Sequence, residues 1–100
     1  MQELIDKVQE LVAFELERAN TIHPPKFNSY HEAYAVILEE YEELADEFEK
    51  LESPMGGLWN SIKGDVFERA TSWTEIIEKR AELIAAEAIQ VSAMCRKARM

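Results

Sequence analysis

The chain has 100 residues, 47% of them hydrophobic and 31% charged, and 20 acidic against 11 basic side chains leave a net charge of −9. That length fits one domain spanning residues 1–100, and the composition argues against disorder. An acidic surface is repelled by phosphate backbones and anionic headgroups, so neither a nucleic acid polymer nor a membrane is the expected partner.

No apolar run reaches the about 18 residues that a membrane span needs. The start, Met1-Gln2-Glu3-Leu4-Ile5-Asp6, is acidic and lacks an apolar signal core. Cys95 is the lone cysteine, so no intramolecular disulfide forms, which fits a reducing cytosol and a cytoplasmic protein.

The first expected element runs from about Gln2 to Ala19. Leu4, Ile5, Val8, Leu11, Val12 and Leu16 recur at helical spacing, with Glu15 as a polar intruder, and His23-Pro24-Pro25 forbids continuation. The second opens at Ser29, with Glu32 completing a capping box, and reads to about Glu52. Its apolar stripe is Tyr30, Tyr34, Ile37, Tyr41, Leu44, Phe48 and Leu51. Ser53-Pro54 is expected to stop it and Gly56-Gly57 to form a turn. A short third helix is expected over about Leu58 to Arg69, interrupted at Gly64. The fourth runs from about Ser72 to Arg99, capped by Thr71 or Ser72 with Glu75, and Arg96, Lys97 and Arg99 lie where the helix dipole favours cations. The whole reads as an all-α short helical bundle of about four helices. A chain this short buries a modest core, so self-association is expected to complete it.

The chemistry-bearing residues are carboxylates. On the second helix Glu40, Glu43 and Glu47 share one strip flanking the apolar stripe. That strip is either a solvated acidic face or part of a cation site, in which Glu40 and Glu43 reach one hard ion such as Mg²⁺. On the last helix, steps of about 100° put Glu87 in the apolar sector with Ile84, Val91 and Met94, and Arg80 in the same sector two turns earlier. A carboxylate on a core-facing stripe requires a partner. Glu87 either pairs with a protein cation such as Arg80 or faces Glu40 and Glu43 and shares their metal. Gln90, one turn on, is either a surface polar residue or a neutral oxygen ligand. His31 reads as a surface residue, Cys95 as core, and Trp59, Trp73 and the tyrosines as core rather than base-stacking platforms. Zinc spacings, Gly-rich phosphate loops and nucleophile–base motifs are missing.

Glu39-Glu40-Tyr41-Glu42-Glu43 resembles the EExxE motif of the MazG-like all-α nucleotide pyrophosphohydrolases, and Glu87-Ala88-Ile89-Gln90 sits where that family carries ExxD. The segments His31 to Glu40, Leu58-Trp59 with Ile62-Lys63, and Ala86 to Cys95 look closer still to the small MazG-like proteins of phages and prophages of Gram-positive bacteria. The resemblance implies a bundle in which the two motif helices face each other, assembled as a dimer or tetramer. It implies cleavage of nucleoside triphosphates to monophosphate and pyrophosphate with Mg²⁺, or Mn²⁺, as cofactor. Carried over position by position, Glu40, Glu43 and Glu87 would be metal ligands, Gln90 would occupy the fourth ligand position, and Glu39 would orient a ligand or the attacking water. Lys63, Arg69 and Arg80 are the basic residues available to phosphate. Two features depart from the family pattern. Gln90 stands in place of an aspartate, removing one negative charge, and the spacing between Glu43 and Glu87 is longer than usual. The rival expectation is a non-catalytic helical oligomeric interaction protein on the same scaffold, with Glu87 neutralised by a protein cation such as Arg80.

Overall fold

In the computed structural model, which describes residues 1–100, helices account for 85% of the chain and there are no strands. Helix α1 spans Gln2–Ile22, α2 Tyr30–Glu49, α3 Glu52–Lys63 and α4 Phe67–Ala98. No helix is long and apolar enough to cross a membrane.

Helix α1 runs to Ile22, past the expected end, and stops where His23 turns extended, as a residue before proline must. Ser29 caps α2 as expected: its hydroxyl accepts from the Glu32 backbone N–H at 3.2 Å. The carboxylate of Glu32 does not close the capping box; it accepts from the Asn28 amide at 2.9 Å.

The middle of the chain departs from expectation. Only Lys50 and Leu51 separate α2 from α3, and both keep right-handed helical angles. Ser53-Pro54 therefore opens α3 rather than ending α2. A proline in the first turn of a helix removes an N–H that has no intrahelical acceptor anyway. Gly56 and Gly57 likewise lie inside α3, not in a turn. Gly57 is needed for close approach, because a Cβ there would run into the Trp73 indole of α4. A Cβ at Gly56 would meet nothing within 4 Å. The two alanine substitutions should thus have opposite signs. Gly56→Ala should raise stability by about 0.5–1 kcal/mol through helix propensity. Gly57→Ala should lower it by about 1–3 kcal/mol through overpacking. Urea unfolding of the pair checks this, and equal effects would refute the Trp73 contact.

Helix α3 ends at Gly64, and Asp65, at φ 56°, makes the left-handed turn into α4. Helix α4 starts at Phe67, earlier than expected. Thr71 and Ser72 are not caps: their hydroxyls donate to the carbonyls of Phe67 and Glu68 one turn back.

Helix α4, 32 residues and about 48 Å long, is the spine against which the other three pack. The core is Val12, Leu16 and Ala19 of α1 with Ala93 and Met94 of α4, and Phe27, Val36, Ile37 and Ile89 pack around it. It sits at the end of the molecule where α1, α2 and the last turns of α4 meet.

Much of the expected apolar stripe lies outside this core. Tyr30, Tyr34, Tyr41 and Phe48 form an exposed seam on α2, from 57% to 72% accessible, and Leu4, Leu11 and Phe14 are exposed on α1. Trp59 is exposed too, so of the two tryptophans only Trp73, against Gly57, is partly covered. The covered positions of α2 are Ala33, Val36, Ile37, Leu38, Glu40, Leu44 and Glu47, mostly one helical step round from the aromatic seam. The radius of gyration, 17.4 Å, exceeds the about 13 Å of a compact domain of this length. The accessible surface of 7462 Å² exceeds the about 5,800 Å² expected for an 11.5 kDa monomer.

Candidate metal centre beside the core

The antiparallel run of α2 along α4 brings the two acidic motifs together. Glu40 and Glu43 lie one turn apart on α2, Glu87 projects from α4, and one carboxylate oxygen from each lies within 4.8 Å of the others. Glu40 and Glu87 are half-buried and Glu43 is exposed. Glu39, on the adjacent step of α2, is exposed at the rim of a cleft that Glu40 also lines.

Gln90 lies one turn along α4 from Glu87. With its Nε2 turned toward the carboxylates it donates to Glu87 at 3.0 Å and to Glu40 at 3.1 Å. The same half-turn of the amide would present Oε1 to a cation instead.

No basic side chain reaches Glu40, Glu43 or Glu87. Arg80 pairs with Glu47 at 3.3 Å, not with Glu87, and Lys50 reaches the same Glu47 at 3.0 Å. Glu47, the third member of the acidic strip, is thereby neutralised, while the three carboxylates nearer the core are not. Burial raises the Glu40 carboxyl above its ordinary value, aided by the charges of Glu43 and Glu87. Burial also raises Glu87, aided by Glu43. Glu15 of α1 goes the other way: Arg18, bound at 2.7 Å, holds its carboxyl below the ordinary value.

These directions fix a pH dependence. Glu40 and Glu87 bind protons more tightly in the folded chain than in the unfolded one. Stability in chelator-containing buffer should therefore fall as pH rises from the ordinary glutamate value of 4.5 through their raised values. Glu15 acts only below 4.5, where its contribution is lost as pH falls. The expected result is a higher urea midpoint at about pH 5 than at about pH 8. A higher midpoint at the alkaline end would contradict it.

The oxygen-only donor set fits a hard divalent cation. Around one octahedral Mg²⁺ at most one of the three oxygen pairs can be trans, about 4.2 Å apart, and the others lie about 3.0 Å apart, so the carboxylates must draw in from their spread of up to 4.8 Å to hold one ion.

Three residues named in the sequence were given no site role there. Glu15 shares a small cleft with Glu40 and Gln90, and its signal was its intrusion into α1's apolar stripe. Glu47 takes the arginine expected at Glu87. Lys97, which terminal position alone makes a helix-end cation, is 4% exposed, because it stands three and four residues beyond buried Met94 and Ala93. None of Lys63, Arg69 and Arg80 lines the clefts beside the carboxylates. Lys63 lies over Trp59, Arg69 faces a groove with Trp73, and Arg80 is held by Glu47. Comparison of the chain with models of protein families, with curated proteins and with solved structures finds no match in any of the three.

Proposed function

We propose that this chain is a divalent-cation-dependent nucleotide pyrophosphohydrolase of the MazG-like kind, converting a nucleoside triphosphate to its monophosphate and pyrophosphate. One observation carries the reading: Glu40, Glu43 and Glu87 converge from two helices to within 4.8 Å with no basic partner. Like charges gathered beside a core are unfavourable unless a cation or protons compensate them.

On this reading Glu40, Glu43 and Glu87 hold Mg²⁺ or Mn²⁺, with Gln90 contributing Oε1 as a neutral fourth ligand. The bound cation would offset charge on the phosphoryl group under attack and favour ionisation of the attacking water. Glu39 accepts a hydrogen bond from that water and orients it. Gln90, lacking the charge of an aspartate, makes the site a weaker cation binder than a four-carboxylate set.

The reading includes self-association as a dimer or tetramer in a reducing cytosol. The surface in excess of a compact monomer, roughly 1,700 Å² per chain, is about twice the ~800 Å² that each partner gives to a standard interface.

The experiment is pyrophosphate release from the nucleoside triphosphates and their deoxy forms with Mg²⁺ or Mn²⁺, alongside calorimetric titration of the metal. Turnover and metal binding are expected together. Neither, with any nucleotide, would end the reading.

A second reading rests on Gln90. An amide that donates to Glu87 and Glu40 at 3.0 and 3.1 Å satisfies those carboxylates without a cation, as in a non-catalytic interaction protein of phage type on the same scaffold. It expects oligomerisation with no metal-dependent gain in stability.

A further inference from the structure

A cleft of about 410 Å³ opens between the residues that follow α1, the start of α2 and the end of α4, and Glu40 forms a wall shared with the carboxylate cluster. Glu32 and Glu39 line it with Glu40, and against these three acids stand Lys97, Lys26 and His23, in a protein of net charge −9. Lys97 is 4% exposed, yet its ammonium forms no salt bridge and no hydrogen bond to protein. Its one specific contact is the Phe27 ring, 4.7 Å from Nζ to centroid. The stem is enclosed but the ammonium keeps access to the cleft, so its donors are free to meet an anion there. The cation–π contact fixes the position of the charge but leaves those donors free.

We infer that this cleft binds the polyphosphate of the substrate, with Lys97 as its principal protein contact and Lys26 and His23 at the rim. The placement deepens the metal-dependent reading and rests on it in one respect: a cation at Glu40 would stand between the anion and the carboxylates that otherwise repel it. The ammonium acts by binding and positioning, taking no part in proton transfer.

The test uses the full chain, with tripolyphosphate and a nucleoside triphosphate as probes in calorimetric titrations, each with Mg²⁺ and with a chelator. Lys97→Met should weaken binding of both probes by on the order of 10- to 100-fold, the loss of charge-assisted hydrogen bonds. Lys97→Arg should retain most of the affinity, and Mg²⁺ binding alone should be unchanged in both variants. Equal loss for the two probes identifies the phosphates as what Lys97 reads. Loss for the nucleotide with tripolyphosphate unaffected would overturn that, as would wild-type affinity in Lys97→Met or a parallel loss of Mg²⁺ binding. Should Lys97→Met fail to fold, protection of Lys97 from acylation by tripolyphosphate, read by mass spectrometry in the unaltered chain, decides the matter: protection supports the inference and its absence overturns it. Protection that persists with chelator, in a chain that binds no Mg²⁺, separates the outcomes: the anion cleft then stands and the pyrophosphohydrolase reading falls.

Discussion

Glu87→Gln is expected to lower metal-dependent pyrophosphate release by about 100-fold or more, while raising the stability of the chain in chelator. On the proposed reading the first effect follows from losing one of three charged ligands. The second follows from electrostatics: Glu87 is a half-buried carboxylate whose charge is disfavoured by burial and by Glu43 and Glu47. Any stabilisation by Mg²⁺, which the proposed site expects from binding to the native state, should vanish in the variant. An ion-paired Glu87 would behave oppositely, losing stability with and without metal. Gln90→Asp is the complementary substitution. It should tighten Mg²⁺ binding by about 10-fold and destabilise the chain in chelator, because it adds a fourth negative charge and removes the two amide hydrogen bonds. A Gln90→Asp variant with no gain in Mg²⁺ affinity would weigh against Gln90 as a ligand position and toward the non-catalytic reading.

Tyr34→Glu combined with Phe48→Glu should dissociate the proposed assembly, weakening association by on the order of 1,000-fold. Both side chains are 65% exposed in the single chain and lie on the seam that also carries Tyr30 and Tyr41. Aromatic anchors at an interface contribute about 2 kcal/mol or more each, and a buried carboxylate adds a desolvation penalty. Sedimentation across a concentration series reads the result. Because a lone chain buries only 9 of its 100 residues, the dissociated form should also melt earlier and depend on concentration. Unchanged association in both single variants and in the pair would remove the seam from the interface.

Local chemistry was legible from the chain alone where the cause was local. Ser29 marked the start of α2 through a hydroxyl three residues from the amide it caps, and the Pro-Pro pair after His23 marked the end of α1. The middle misled for a reason that is also local. Ser53-Pro54 and Gly56-Gly57 have the composition of a stop and a turn, but proline suits a first helical turn equally well. Gly57 serves packing against Trp73, a residue of another helix that no local pattern identifies. Arg80 and Glu87 shared a sector, but a sector names only the neighbours on one helix; the partner of Arg80 was Glu47, across the interface.

What the sequence by itself determined was the all-α class, the absence of a membrane-spanning helix, and the presence of two carboxylates, Glu15 and Glu87, on apolar stripes. These follow from periodicity and charge, which act within a few residues of chain. Only the tertiary structure decided which acids meet. The antiparallel register of α2 on α4 sets Glu40 and Glu43 opposite Glu87, gives Glu47 the arginine, and lays Gln90 against two carboxylates. It also decided that Lys97 is enclosed and that the tyrosines are not, because burial depends on which face of a helix meets a neighbour, and helical spacing leaves that face undetermined by a step of about 100°.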